Sequence, residues 1–208
     1  MPLDYFISAL VTLLVVVDPI GLAPTFVAIT EGLPAGARRQ VAIRACAIAA
    51  LILAGAALIG DWLLRKLGIT LPAFRIAGGL LLFTIAYEML FGLRIPRQTQ
   101  TAAAAIEEHV RNIAAFPLGI PLMAEPGAIT ACVLLAGRAD GDSKLFLILA
   151  LAIVLVIGAC LVVFLSAGRI SKLLGITGNA VLSRLLGVLL AALAVQFVID
   201  GVRALLRA

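Results

Sequence analysis

The chain has 208 residues, of which 63% are hydrophobic and 13% charged, with 16 Lys and Arg against 11 Asp and Glu. Soluble domains carry about 25% charged residues, and a globule of this length has too little interior to hide so much apolar side chain, so lipid must solvate much of it. The basic surplus occurs in no run longer than two residues, which argues against a nucleic-acid partner and for contact with anionic membrane lipids at helix ends and loops.

A helix crossing the hydrocarbon needs about 20 apolar residues, and six stretches qualify, giving an all-α polytopic membrane protein. No basic region precedes the first of them, so a cleavable signal is not expected and span 1, Leu3 to Ile29, serves as its own targeting signal. Span 1 carries Asp18-Pro-Ile-Gly-Leu-Ala-Pro24 in its middle. Span 2, Val41 to Leu64, is dense in small residues (Ala45, Ala49, Gly55, Gly60 among them), and span 3, Pro72 to Leu93, holds Gly78-Gly79. Small residues let backbones approach closely in lipid, where pairing rests on contact. The connection Arg94 to Arg111 contains Glu107, Glu108 and His109, and its Ala- and Glu-rich middle, Thr101 to Val110, suits a short surface helix. We place the boundary between two halves there: 1–93, a connecting loop 94–112, and 113–208. Span 4, Ile113 to Ala136, contains Pro121-Leu-Met-Ala-Glu-Pro-Gly-Ala-Ile-Thr130; span 5 runs from Leu145 to Ala167 and span 6 from Val181 to Val202. The three cysteines, Cys46, Cys132 and Cys160, lie in apolar stretches and read as small hydrophobes rather than a disulfide framework.

Spans 1 and 4 each carry two prolines five positions apart, Pro19 with Pro24 and Pro121 with Pro126. A proline inside a helix removes a donor and clashes with the preceding turn. Gly21 and Gly127 loosen the backbone further, and Asp18 and Glu125, each preceding a proline, are pushed off helical torsions. We therefore expect discontinuous helices with free backbone groups at membrane depth, tolerated only where buried in protein or facing a water-filled cavity. The resumed amino ends, through Ala128 and Thr130 in span 4, favour an anion. The two acids favour a cation, a proton or an ammonium group, since a carboxylate in the bilayer costs roughly 2.5 kcal/mol or more unless it has a partner. The alternative is that the prolines only kink the helices and the acids cap the resumed turns.

The halves resemble one another. Leu63-Leu-Arg-Lys-Leu-Gly-Ile-Thr70 matches Ile170-Ser-Lys-Leu-Leu-Gly-Ile-Thr177 at an offset of 107, which also carries Asp18-Pro19 onto Glu125-Pro126. At an offset of 109, Arg75 falls on Arg184 and Gly78 on Gly187. Three spans per half would invert the second half relative to the first, an arrangement typical of secondary transporters with a midplane site.

Arg75 and Arg184 either snorkel to the interface or pair with Asp18 or Glu125. Glu88 reads as a solvated helix end or a further charge partner. Asp200 has Arg203 at i+3, the expected local pair, and Gln196 suits an interhelical hydrogen bond. No HExxH, GxSxG, phosphate-loop or Cys/His ligand pattern occurs, so neither enzyme nor metal site nor cofactor is expected. Asp4 precedes span 1 and Arg38-Arg39 follow it, which leans toward an amino terminus outside.

Three stretches, Asp18-Pro-Ile-Gly-Leu-Ala-Pro-Thr-Phe-Val-Ala-Ile-Thr30, Ala73-Phe-Arg-Ile-Ala-Gly-Gly-Leu-Leu-Leu-Phe83 and Pro117-Leu-Gly-Ile-Pro-Leu-Met-Ala-Glu-Pro-Gly-Ala-Ile-Thr130, resemble the MarC family of bacterial and archaeal inner-membrane proteins. The resemblance covers essentially the whole chain. It implies six membrane helices and kinship with a transporter of small neutral amino acids such as glycine and alanine. Asp18 fits a family position that is Asn or Asp; Glu125 departs from it, since the family usually has Gly there.

The expected function is secondary transport of small neutral amino acids or similar polar solutes, with Asp18 and Glu125 binding the ammonium, a coupling proton or sodium. A homo-oligomer is compatible with this. The alternatives are a non-transporting factor that binds lipid or a partner protein, and a translocator of a lipid-linked anion in which Arg75 and Arg184 matter more than the acids.

Overall fold

A computed structural model describes residues 2–94, 114–139 and 141–206, apart from the side chains of residues 116, 117, 121, 170–174 and 176. Its helices are α1 (Pro2–Val17), α2 (Leu22–Ile29), α3 (Ala35–Lys66), α4 (Leu71–Leu90), a π-helical segment (Ala114–Met123), α5 (Pro126–Ala139), α6 (Ser143–Leu165) and α7 (Ala167–Leu206). The expected surface helix at 101–110, with Glu107, Glu108 and His109, lies outside the described residues.

Among the described residues, four runs are long and apolar enough to cross a membrane: α3, α4, α6 and the Thr177–Leu206 portion of α7. The pair α1 and α2, bent by 45° at residues 18–21, makes a fifth when counted as one broken span. These five correspond to spans 1, 2, 3, 5 and 6. Span 4 is discontinuous, as expected, and neither of its two parts is by itself long enough to cross a membrane. Its resumed part, α5, has 14 residues, about 21 Å at 1.5 Å per residue and short of the roughly 30 Å hydrocarbon core. Its first part winds as a π-helix, with the Ala124 amide donating to the Gly119 carbonyl five residues back at 3.1 Å. Pro117 and Pro121 supply no amide to the preceding turn, and the wider winding accommodates them.

Local signals account for most ends. The Thr70 hydroxyl accepts from the Ala73 amide at 3.3 Å to start α4, and Asp142 accepts from the Lys144 amide at 2.8 Å to start α6. Gly68 closes α3 with φ +70°, and Gly175 interrupts α7 with φ +60°. These two glycines hold the same place in the repeated Leu-Gly-Ile-Thr motif.

Helix α3 divides into an inward small-residue stripe and an outward apolar one. On α3, Ala42, Ala45, Ala49 and Ala57 are buried while Leu51 and Leu58 are 74% and 68% exposed. Exposed leucines on this scale are what lipid covers. The most extensive packing joins α4 to α7, where a Cβ on Gly79 would lie 2.7 Å from the Ala194 carbonyl oxygen. Elsewhere α1 packs on α6, while α3 packs on α5, on α6 and on the π-helical segment.

Candidate functional site

The first break occupies residues 18–21 rather than the whole stretch to Pro24. Pro24 falls in the first turn of α2, where its missing amide breaks no helical bond. Asp18 has φ +49°, a left-handed conformation that a short polar side chain tolerates best after glycine. Its Oδ1 accepts from the Gly21 amide at 3.0 Å. Residue 21 must be glycine for this cap, because a Cβ there would overlap the Asp18 carboxylate. The Leu22 and Ala23 amides donate to the carbonyls of Asp18 and Ile20 at 3.1 Å each. The amino end of α2 is thus satisfied by its own turn and offers no donor to an anion, contrary to the expectation for the first break. Asp18 and Pro19 are buried, Asp18 to 3% exposure.

The second break is shorter. Pro126 opens α5, the position where its fixed torsion suits a helix start, and Glu125 precedes it. Glu125 is 4% exposed. Its Oε1 meets Arg94 Nη2 at 2.9 Å. The same Nη2 donates to the Val16 carbonyl at 2.7 Å, and Nη1 lies 3.2 Å from the Met89 sulfur. Val16 is in the last turn of α1, where carbonyls lose their intrahelical donors. One guanidinium therefore fastens the end of α1, just before the first break, to the acid of the second. The charge of Arg94 also acts on Asp18, and that of Asp18 on Cys160 of α6.

The other expected site residues take packing roles or lie apart. Gly127 lets α5 close on Ile85 and Leu82 of α4 and on Val16; the Thr130 methyl fills the space over Gly78; Ala128 is buried; Pro126 is exposed. Arg75 and Arg184 are corrected as partners of the acids. Arg75 lies on α4 beside Gly201 and under the charges of Arg138 and Asp200, and Arg184 is exposed. Glu88 is half-buried on α4. Asp200 pairs not with Arg203 but with Arg138 of α5 at 3.1 Å, and Gln196 donates to Asp200 within α7 at 2.7 Å rather than across helices.

A model described as "MarC family integral membrane protein" matches residues 3–206. The chain belongs to the MarC family. It is similar to the UPF0056 membrane protein MJ1677 of Methanocaldococcus jannaschii, 39% identical over 98% of each chain. It also resembles a UPF0056 membrane protein of Archaeoglobus fulgidus, 36% identical over 96% of this chain and 92% of that one. The UPF0056 membrane protein YhcE of Escherichia coli is 35% identical over 92% of this chain and 88% of its own. No solved structure matches.

Two residues of this MarC-family site escaped the sequence. Arg94 is 2% exposed, yet in sequence it is one arginine ending an apolar run, the usual mark of snorkelling. Its Nε and the hydroxyl of Thr25, on α2, are both buried without a hydrogen-bond partner in the described structure. Buried polar atoms left unsatisfied are rare and mark functional sites or unplaced water.

Proposed function

We propose that this MarC-family protein is a secondary transporter of small neutral amino acids or similar small polar solutes across a bacterial or archaeal inner membrane. The observation that carries the reading is the near-complete burial of Asp18 at the first break and of the Arg94–Glu125 pair at the second, where two spans lose helical continuity. Ionisable groups at this depth are costly to bury even when paired, and inside membrane helices they mark solute or ion paths.

The amino acid binds as a zwitterion. Asp18, whose carboxylate is held by the Gly21 amide, takes the ammonium, and the buried Thr25 hydroxyl of α2, which has no hydrogen-bond partner among the described residues, offers a further acceptor. The carboxylate goes to the first turn of α5, where the Gly127 and Ala128 amides have no intrahelical acceptor, next to Arg94. In the empty protein Glu125 holds that guanidinium, so solute and Glu125 exchange places. A proton or sodium at Asp18 supplies the coupling.

Two features support a repeat of opposite orientation around this site. Gly68 and Gly175 share a positive φ at equivalent motif positions, and α1 packs on the second helix of the other half as α5 packs on the second helix of the first. Clefts also open toward both ends of α6. One includes Tyr5, Ser8 and Arg138, the other Thr30 and Arg169. Asp18 lies 13 residues from Tyr5, about 20 Å of helix, and 12 residues from Thr30 across the break and α2. With the amino terminus outside, the cleft carrying Arg38 and Arg39 faces the cytoplasm.

Uptake of labelled glycine and alanine by purified protein in liposomes, with imposed proton or sodium gradients, tests the reading. Gradient-dependent accumulation supports it; no flux for any small amino acid under either gradient overturns it.

A further inference from the structure

A strongly charged cavity lies apart from the buried acids, neither of which lines it. It is a cleft of about 710 Å³ where the end of α2, the start of α3 and the turn from α6 to α7 converge. Three arginines, Arg38, Arg39 and Arg169, line it, and among the described residues no carboxylate does. Its floor is the stacked pair Phe26 and Phe164, with ring centroids 4.6 Å apart and planes within 8°.

We propose that this cleft binds a phosphate-bearing anion. Arg38 is fixed, its Nε donating to the Thr30 carbonyl at 3.1 Å, which leaves its terminal nitrogens for a ligand. Arg39 and Arg169 are exposed and have no ion-pair partner among the described residues. Three guanidinium groups around one cleft repel each other until an anion joins them. The start of α3 on the wall adds the positive end of a 32-residue helix. Guanidinium groups match phosphate oxygens in pairs and are less hydrated than ammonium, so phosphate is a better fit than a halide or a single carboxylate. The volume is that of a small-molecule site. The aromatic floor beneath the charged rim suits an amphiphile, and basic pockets between membrane helices are where lipid head groups bind. A phosphomonoester head group and free phosphate share this chemistry. The inference rests on the cleft alone and not on the transport reading.

Thermal unfolding of the full-length protein in maltoside detergent tests it, with dihexanoyl phosphatidic acid and inorganic phosphate as separate additions. Saturating ligand raises Tm by about 5 °C by mass action. A rise with phosphatidic acid alone assigns a lipid head group, and a rise with both shows that free phosphate suffices; either supports the site. R39Q/R169Q, and independently S166D, which puts a carboxylate into the lining, remove the rise. R44Q/R184Q, a charge-matched change at exposed positions elsewhere, keeps it. No rise with either addition, a full rise in both R39Q/R169Q and S166D, or an equal loss in R44Q/R184Q overturns the proposal.

Discussion

Arg94 and Glu125 form a buried ion pair at 2.9 Å, with side chains 2% and 6% exposed. It joins a residue four positions beyond the end of α4 to the residue just before α5, and through the Val16 carbonyl it reaches α1 as well. The junction is where the two interrupted spans are held together.

Removing one partner strands the other charge. Glu125→Ala should destabilise the protein by about 3–5 kcal/mol, the usual cost of breaking a buried pair. R94M/E125M should recover most of that loss, because apolar replacements of both partners leave no orphan charge. Thermal unfolding of the three proteins in detergent measures the difference. A single substitution as stable as wild type would mean that the pair is not buried as described.

The Asp18 cap makes a prediction about its glycine. Gly21→Ala places a methyl group against the carboxylate and should cost about 1–2 kcal/mol, the range for losing a helix cap. Asp18→Asn keeps both the left-handed tolerance and an oxygen for the Gly21 amide, so its Tm should stay within a few degrees of wild type. Parallel unfolding curves decide this.

The α4–α7 contact separates two glycines alike in sequence. Gly79→Ala puts a Cβ 2.7 Å from the Ala194 carbonyl oxygen and should cost roughly 1–3 kcal/mol through overpacking. Gly55→Ala on α3 meets nothing within 4 Å and should leave Tm unchanged or slightly higher. The two Tm values, measured side by side, check the packing of these helices.

Span existence was legible wherever a long apolar run met lipid without interruption, as in α3, α4 and α6. Both breaks were legible too, because proline after an acid denies the helix a donor and a favourable torsion. Their extent was not. A proline at the first turn of a helix is harmless, so Pro24 and Pro126 sit inside resumed helices, and only the fold fixes where each resumes. The π-helical winding of 114–123 leaves no period that marks it in sequence. Arg94 was missed because a terminal arginine reads alike whether it snorkels or turns inward, and the deciding partner lies 31 residues away. The surroundings of Arg75, which the sequence left open between snorkelling and pairing with an acid, were hidden for the same reason: its charged neighbours, Arg138 and Asp200, come from two other helices.

The claim that Asp18 serves a solute and not merely the fold is tested most directly by uptake of labelled glycine or alanine into liposomes containing equal amounts of folded wild-type and Asp18→Asn protein. Loss of the carboxylate with its cap geometry retained should lower flux at least about tenfold, the cost of one charge-assisted contact, while Tm hardly moves. Wild-type flux in Asp18→Asn would show that this buried acid only shapes the turn, and would remove the basis for a solute site at the broken spans.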